Sequence, residues 1–199
     1  MVTIIDYAIN NLRSVEKAFQ SLKIPVEVTD QPERLLAASK LILPGVGAFA
    51  DAMQNLRAKD MIQCLCEKVQ KGTPLLGVCL GLQLLFSESE EFGNHQGLNF
   101  IPGRVKRLPA GMRVPHIGWN QLHLKGADPL LNEIPDESFV YFVHSYFADP
   151  VSSSDVLATT DYGFEFPAIV RRENVWATQF HPEKSQDIGL RILRNFAEM

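Results

Sequence analysis

Short apolar runs alternate with helical patterns in the first half of the chain. Strands are predicted at residues 2–6, 26–29, 41–43 and 75–78, of which the last two are apolar throughout, and the segments between them repeat apolar side chains at helical spacing. Such alternation predicts a parallel β-sheet with helices on both faces. Runs that are apolar throughout suit strands covered on both sides, and functional residues in such sheets gather at the carboxyl ends of the strands. We expect helices at residues 12–22, 33–38, 48–57, 60–69 and 80–86.

After about residue 93 the pattern changes to short strands separated by turn residues, which is typical of antiparallel pairing. A last helix with an apolar stripe is predicted at residues 186–197. The chain is therefore expected to be an α/β protein, with a mixed, mainly parallel, doubly wound sheet and antiparallel strands in its second half. One domain should cover residues 1–199. The predicted strands of the second half are residues 103–108, 121–124, 138–147, 156–160, 168–171 and 175–180.

Composition narrows the class of protein. The 199 residues are 46% hydrophobic and 21% charged, which is enough for one well-formed core. A net charge of −4 gives no electrostatic basis for binding nucleic acid. Neither a secretory leader nor an apolar stretch of membrane-spanning length is visible, so we expect a cytoplasmic protein that does not bind a membrane. Three cysteines at irregular spacing fit a reducing compartment.

The most informative stretch is Gly77-Val78-Cys79-Leu80-Gly81, which lies between an apolar run and a helical pattern. This G-x-C-x-G sequence predicts a nucleophile elbow, a sharp strand-to-helix turn that raises the nucleophile above the sheet. The glycines are needed where a Cβ atom would collide. The start of a helix also favours the thiolate form of a cysteine. Cys79 is therefore the candidate nucleophile.

The other two cysteines have no such context. Cys64 and Cys66 lie in a helical pattern without glycine neighbours, and their C-x-C spacing suits neither a zinc site nor a redox pair. We interpret them as core or helix-surface residues, and we expect no metal.

A cysteine nucleophile needs a base and a group that orients the base. His181 and Glu183 follow the strand predicted at residues 175–180, with Pro182 between them. We predict that His181 takes the thiol proton while Glu183 holds the imidazole in the required tautomer, as in a catalytic triad. Because they lack this context, surface or core roles are expected for the remaining histidines, which are His95, His116, His123 and His144.

The loop at residues 44–47, Pro-Gly-Val-Gly, follows a buried strand and precedes a helix. Its backbone N–H groups are placed to hold an anion, so we interpret it as part of an oxyanion hole. A plain tight turn is the alternative. The third glycine of a dinucleotide-binding fingerprint is missing, and Asp51 is too near to bind a ribose, so no nucleotide cofactor is expected.

Together, the Cys79 elbow and His181-Pro182-Glu183 resemble the class I, or triad-type, glutamine amidotransferases, whose fold is flavodoxin-like. The resemblance runs over essentially the whole chain. Within that family, four segments look like the glutaminase subunits of imidazole glycerol phosphate synthase. They are residues 5–15, 43–49, 115–120 and 142–146.

What the resemblance implies is a two-subunit enzyme. One subunit hydrolyses L-glutamine to glutamate and ammonia, and ammonia passes to a (β/α)8-barrel cyclase subunit of the HisF type in a heterodimer. The cyclase would use it to make imidazole glycerol phosphate and an aminoimidazole carboxamide ribonucleotide in histidine biosynthesis, without a metal or organic cofactor in this chain. The absence of a fused cyclase domain favours a bacterial or archaeal source.

The resemblance also implies roles for individual residues. Backbone N–H groups of Leu80 and of the Val46–Gly47 segment would form the oxyanion hole. The glutamine pocket would be lined by Gly45, Gln83, Ser145 and Tyr146. We hypothesise that the 44–47 loop changes its peptide orientation when the partner is docked and occupied, because glycines on both sides of Val46 permit rotation. Residues near the cyclase and the ammonia exit would be Asn10, Asn11, Trp119, Tyr141 and Lys184.

Other functions stay open on these residues. The chain resembles, less closely, the glutaminase subunits of pyridoxal phosphate synthase and anthranilate synthase. A stand-alone cysteine hydrolase acting on γ-glutamyl compounds would need no partner for full activity. An inactive interaction protein with the same fold is disfavoured by the intact set of Cys79, His181 and Glu183.

Overall fold

The structure is a computed structural model that describes residues 1–8 and 11–199. It contains fourteen strands and six α-helices within those residues. The strands are β1 (Val2–Ile5), β2 (Val26–Thr29), β3 (Leu41–Leu43), β4 (Leu75–Val78), β5 (Phe86–Ser89), β6 (His95–Gln96), β7 (Ile101–Arg107), β8 (His116–Gln121), β9 (His123–Leu124), β10 (Phe139–His144), β11 (Tyr146–Pro150), β12 (Val156–Asp161), β13 (Glu165–Arg172) and β14 (Val175–Thr178). The helices are α1 (Leu12–Ser21), α2 (Pro32–Ala37), α3 (Phe49–Ala58), α4 (Met61–Gln70), α5 (Leu80–Leu84) and α6 (Gln186–Glu198).

An eight-stranded sheet in the order β2-β1-β3-β4-β14-β13-β12-β9 forms the centre of the molecule. The pairs from β2 to β14 are parallel, and those from β14 to β9 are antiparallel. The mixed α/β sheet predicted from the sequence is confirmed. The last parallel strand, β14, comes from the end of the chain and lies beside β4. Their carboxyl ends meet at one edge, which brings distant parts of the sequence together.

Helices cover both faces of this sheet. Alternate residues of its apolar strands point to opposite sides, so each face offers apolar side chains against which helices pack. Leu41 and Leu75 pack with α2–α5 in one hydrophobic cluster. Ile42 and Leu76 pack with α1 and α6 in the other. Strands β1, β3 and β4 are buried along their whole length, as expected for strands covered on both sides.

Two smaller sheets flank the central one. The first has the order β11-β7-β5-β6 and packs with the α2–α5 layer through Phe86 and Val105. The second is an antiparallel ribbon of β8 and β10, with Trp119 opposite Tyr141 and His116 opposite His144. Along this ribbon the chain reaches the carboxyl edge of the central sheet, since the Tyr141 carbonyl oxygen accepts a hydrogen bond from the His181 N–H.

Three predictions about elements are wrong in detail. The helix expected at residues 80–86 ends at Leu84, and β5 follows at once. The strand expected at residues 138–147 is two strands, because the chain leaves the ribbon at Ser145 and joins β7 in another sheet. The strand β8 was not predicted, since only residues 121–124 were assigned to a strand there. Its apolar side chains face outward and its polar ones inward, the reverse of the usual pattern.

Candidate active site

Cys79 lies on a sharp turn between β4 and α5. Its backbone φ of 56° and ψ of −107° are unusual for a residue with a side chain. The neighbouring glycines explain why the turn can close. A Cβ atom on Gly81 would lie 1.8 Å from the Leu43 carbonyl oxygen, and one on Gly77 would lie 2.7 Å from Leu85 Cδ1. The nucleophile elbow predicted from the sequence is therefore present, and Cys79, which is 6% exposed, lines a cavity.

His181 and Glu183 are brought to Cys79 by the pairing of β14 with β4. The carboxylate oxygen Oε1 of Glu183 accepts a hydrogen bond from His181 Nδ1 at 2.7 Å, and both side chains are buried. The other ring nitrogen, Nε2, has no hydrogen-bond partner within the described residues. The Cys79 thiol donates to the Val143 carbonyl oxygen at an Sγ–O distance of 3.7 Å. In this resting arrangement, the base is oriented and its second nitrogen is unoccupied.

The electrostatic environment favours a charged imidazole. Burial alone lowers the pKa of His181, but the nearby Cys79 thiol and the hydrogen-bonded Glu183 carboxylate outweigh it and raise that pKa to about 10. Burial raises the pKa of Glu183, whereas its interactions with His181 and Asn11 lower it, and the net direction is downward. An imidazolium beside a thiol stabilises the thiolate, which is the nucleophilic form.

Asn11 extends the triad by one residue. Its side-chain Nδ2 donates to Glu183 Oε1 at 2.8 Å, so the same oxygen is held by His181 and Asn11. The sequence resemblance had suggested only a position near the partner and the ammonia exit. The contact was not predictable, because it joins residues 172 positions apart in the chain. Asn10, which the same prediction included, lies outside the described residues.

The backbone N–H of Leu80, the expected oxyanion donor, is occupied. It donates to the Gly45 carbonyl oxygen at 3.3 Å. Val46 and Gly47 line the cavity, while Gly45 is buried behind them. The peptide between Gly45 and Val46 therefore presents its oxygen, and not its N–H, toward the elbow. In this arrangement neither the Leu80 N–H nor the Gly45–Val46 peptide offers a free N–H toward Cys79 as the predicted oxyanion hole requires.

The cavity above Cys79 has a volume of about 250 Å³. It is smaller than the roughly 300–1,000 Å³ of pockets for drug-sized ligands, and it suits a molecule the size of an amino acid. Gln83, Ser145 and Tyr146, which the resemblance assigns to the glutamine pocket, line this cavity. Gln83 Nε2 donates to the Tyr146 carbonyl oxygen at 2.9 Å and to Gln179 Oε1 at 3.3 Å. These two bonds fix the amide of Gln83 within the wall.

Four lining residues were not predicted as part of the site, namely the apolar Pro115 and Val143 and two with polar side chains, Glu91 and His144. Glu91 is the only acidic side chain among the described residues that line the cavity. Its Oε2 accepts the Phe49 N–H at 2.6 Å at the start of α3. Burial raises the pKa of Glu91, although the bond from Phe49 opposes the shift. Nothing in the acidic run at residues 88–91 distinguishes this glutamate from its neighbours.

The second is His144, which was expected to have a surface or core role. It is buried beside the cavity, and its Nδ1 pairs with the Tyr146 carbonyl oxygen at 2.9 Å. Its Nε2 lies 3.0 Å from His116 Nδ1, and His116 Nε2 lies 2.8 Å from Asn120 Oδ1. Burial lowers the pKa of His144 to about 3, so this histidine is neutral at physiological pH. A chain of polar groups thus runs along the inner face of the ribbon to the cavity wall.

The outer face of the same ribbon is apolar and accessible. Ile117, Trp119 and Phe139 are 60%, 43% and 54% exposed. The ring centroids of Trp119 and Tyr141 lie 5.7 Å apart. Lys184, which follows His181 closely in the chain, is exposed. We call Ile117, Trp119, Phe139 and Tyr141 the ribbon face. Contiguous exposed apolar side chains of this kind mark interaction surfaces.

Cys64 and Cys66 lie half-buried on α4, as expected, and all three cysteines are free thiols. Within residues 1–8 and 11–199, no three histidine, cysteine or acidic side chains are grouped as metal ligands would be. None of the helices described there has the length and hydrophobicity that a membrane span requires.

Comparisons with known proteins agree with this geometry. The sequence profile of the family "Glutamine amidotransferase class-I" matches residues 3–199. A solved structure described as "Crystal structure of glutamine amidotransferase" superposes with a TM-score of 0.80 at 24% identity, covering 100% of this chain and 98% of the other. PurLQS from Thermotoga maritima superposes with a TM-score of 0.76 at 15% identity over 99% of this chain and 97% of the other. The chain belongs to the class-I glutamine amidotransferases.

Relatives of higher identity define the branch of that family. An "Imidazole glycerol phosphate synthase subunit HisH" from Syntrophotalea carbinolica is 53% identical over the full length of both chains. Another from Moorella thermoacetica is 52% identical over 100% of this chain and 94% of the other. Within the class-I amidotransferases, this chain is a member of the HisH subunits.

We expect Glu183→Gln to separate the charge of the carboxylate from its hydrogen bond to His181. The amide keeps its size but removes the negative charge, so the pKa of His181 falls. The pH profile of Cys79 alkylation by iodoacetamide should move to higher pH, because the thiolate loses the imidazolium that stabilises it. Glutamine hydrolysis should fall by about 100-fold or more.

The matched control is Glu67→Gln, which removes a carboxylate from a surface ion pair with Lys71 on α4. Its alkylation profile should match that of the original chain. An unchanged profile for Glu183→Gln would contradict the stabilisation of the imidazolium by the charge of Glu183.

Proposed function

We propose that this chain performs the glutaminase reaction of imidazole glycerol phosphate synthase, hydrolysing L-glutamine to glutamate and ammonia in histidine biosynthesis. The observation that carries the proposal is the Cys79 elbow beside the hydrogen-bonded pair of His181 and Glu183. We further propose that residues 1–199 act as one amidotransferase domain in the cytoplasm, where free thiols persist.

The chemistry follows from the positions of the three side chains. Cys79 Sγ attacks the side-chain amide carbon of glutamine, and the thiol proton passes to His181 Nε2. His181 then gives this proton to the departing nitrogen, so the C–N bond breaks and ammonia leaves a thioester on Cys79. Next, His181 takes a proton from water, which attacks the thioester. Glutamate is released and the thiol recovers its proton. Throughout, Glu183 stabilises the imidazolium.

Completion of the oxyanion hole is the step that limits the free chain in this proposal. Rotation of the Gly45–Val46 peptide would release the Leu80 N–H and point the Val46 N–H into the cavity. Two donors would then face the oxygen of the tetrahedral intermediate. Removal of one such donor typically costs about 100- to 1,000-fold in rate. A chain in the resting arrangement should therefore hydrolyse glutamine slowly.

Glu91 is the proposed binding group for the α-ammonium of glutamine. It is acidic, it lines the cavity, and its second carboxylate oxygen is not used by the Phe49 N–H. Gln83, held by Tyr146 and Gln179, is proposed to contact the substrate through its remaining oxygen. The Ser145–Tyr146 segment supplies backbone groups on the other wall.

The proposed partner is a (β/α)8-barrel cyclase subunit of the HisF type, in a heterodimer. The ribbon face is the proposed docking surface, because the ribbon that carries its apolar side chains also carries Val143 of the cavity wall, on β10. Asn11 contacts Glu183, the Tyr141 carbonyl oxygen accepts the His181 N–H, and Lys184 follows Glu183 in the chain. These positions beside the triad support their proposed place at the ammonia exit.

Glutamate release measured in three mixtures tests the function. They are the chain alone, the chain with a HisF-type cyclase, and the chain with that cyclase and its ribonucleotide ligand. Cys79→Ala serves as the blank. We expect a strong rise only in the third mixture and none with Cys79→Ala. A high rate from the chain alone would instead support an independent γ-glutamyl hydrolase.

The proposed role of Glu91 predicts a binding defect. Glu91→Gln should raise the KM for glutamine at least 10-fold in the third mixture and change kcat by less than about threefold, since the charge contacts substrate in every state. Glu90→Gln, one position away and outside the lining of the cavity, is the control. Equal KM values for both variants would remove Glu91 from the binding site.

The proposed docking surface predicts a defect in cyclase binding and not in the KM for glutamine. Trp119→Ala should weaken cyclase binding by roughly 30-fold or more, as loss of an aromatic interface anchor does. With saturating cyclase, glutaminase kcat should stay near its original value. Phe92→Ala removes another exposed aromatic, 86% accessible and outside the ribbon face, and should bind normally. Isothermal titration of the cyclase into each variant gives the comparison.

A further inference from the structure

Tyr7 is a buried polar residue that the proposed reaction does not use. It follows β1 and has no exposed surface. Its hydroxyl donates to the Pro44 carbonyl oxygen at 2.6 Å, across a separation of 37 residues. Pro44 is the first residue of the 44–47 loop. The hydroxyl therefore links the end of one central strand to the loop that follows the neighbouring strand, β3.

The hydroxyl also lies close to Gly45. A Cβ atom placed on Gly45 would meet Tyr7 Oη at 2.7 Å and Leu80 Cβ at 2.8 Å. The Tyr7 hydroxyl and the elbow therefore both lie against the position that a side chain on Gly45 would occupy. Its carbonyl oxygen accepts the Leu80 N–H at 3.3 Å, which is long for a hydrogen bond between backbone groups. The Pro44 end of the loop is thus held by the short hydrogen bond from Tyr7, whereas the Gly45–Val46 peptide is held by the longer and weaker one from Leu80.

The far end of the loop is open. Gly47 has a φ of +111°, which suits glycine, and a Cβ atom placed there would meet nothing within 4 Å. Gly47 is exposed, whereas Pro44 and Gly45 are buried. The loop therefore has a held end at Pro44, a free end at Gly47, and the Gly45–Val46 peptide between them.

We infer that Tyr7 is a positioning residue for the oxyanion hole, which holds the Pro44–Gly45 peptide still so that only the Gly45–Val46 peptide rotates. This inference rests on the proposed function. A peptide that turns against a fixed neighbour reaches one orientation, so its N–H points at the intermediate. Without the hydroxyl, the Pro44–Gly45 peptide would rotate as well, and the Val46 N–H would take several directions instead of one. The placement of oxyanion donors within a few tenths of an ångström decides their effect.

Tyr7 is suited to this role chemically. Burial, with a smaller effect of the nearby Cys79, raises the pKa of Tyr7 well above its ordinary value. The hydroxyl consequently keeps its proton and remains a donor throughout the working pH range. Loss of the hydroxyl would leave the buried Pro44 carbonyl oxygen without this bond.

The test compares Tyr7→Phe with Thr160→Val in the complex with the cyclase and its ribonucleotide ligand. Thr160 is a matched control, because its hydroxyl is also fully buried and donates to a backbone carbonyl, that of Gln121, at 2.7 Å. Basal kcat, stimulated kcat, KM for glutamine and Tm are measured for each, at a temperature below the Tm of both variants.

We expect Tyr7→Phe to lower stimulated kcat about 10-fold or more, with KM within twofold and the basal rate of the free chain within threefold. Thr160→Val should lose a similar amount of Tm and keep its stimulation. Incorporation of 3-fluorotyrosine at position 7, which retains the hydroxyl, should restore stimulation. If Tyr7→Phe does not fold, Tyr7→Met provides a second side chain without a hydroxyl, and the same loss is expected.

A ratio of stimulated to basal rate in Tyr7→Phe equal to that of the original chain would overturn the inference. A loss of equal size in Thr160→Val would do so too, because it would reduce the effect to general destabilisation. If the original chain itself shows no stimulated hydrolysis, the proposed function is wrong and the role of Tyr7 falls with it. The stimulated rate of the original chain therefore separates the two failures.

Discussion

The parallel pairing of β4 with β14 is the constraint on which the site depends. Val78 is in register with Thr178, and the Cys79 N–H donates to the Thr178 carbonyl oxygen at 2.8 Å. Strand neighbours in a sheet are about 4.8 Å apart. The nucleophile leaves one strand and the base follows the other, so their separation is set by the spacing of the sheet. This part of the site requires no moving loop to assemble it.

The loop at residues 44–47 contrasts with that rigid frame. It lies at the same edge of the sheet, and its Gly45 carbonyl oxygen accepts a hydrogen bond from the Leu80 N–H, the donor that the proposed mechanism assigns to the oxyanion. In that mechanism, a triad that is organised in advance works with an oxyanion hole that rotation of one peptide completes. Such a rotation would control turnover without disturbing Cys79, His181 or Glu183. Glycines at positions 45 and 47 give that peptide its freedom.

Much of this arrangement was predictable from the sequence, for physical reasons that are clear in the structure. Cys79 and its glycines are adjacent in the chain, and a sharp turn imposes a local requirement that a short sequence reveals. Continuous apolar strands reported a sheet covered on both sides. What the sequence did not reveal depends on contacts between distant residues or on reversed patterns. Asn11 reaches Glu183 through the fold, and Glu91 is one acid in an acidic run. β8 was missed because His116 and Asn120 face inward while Ile117 and Trp119 face the solvent.

The resting site has a chemical liability as well as a control. An oxyanion hole is needed to hydrolyse an amide, but oxidation of a thiolate by a peroxide needs only the thiolate and access to it. Cys79 lies beside His181, whose pKa is raised, and it lines the cavity. In the proposed mechanism the Gly45–Val46 peptide acts on the oxygen of the tetrahedral intermediate and not on the thiol, so it takes no part in a reaction of Cys79 with a peroxide. An arrangement that slows amide hydrolysis in this way would leave oxidation of the nucleophile to sulfenic acid unrestrained.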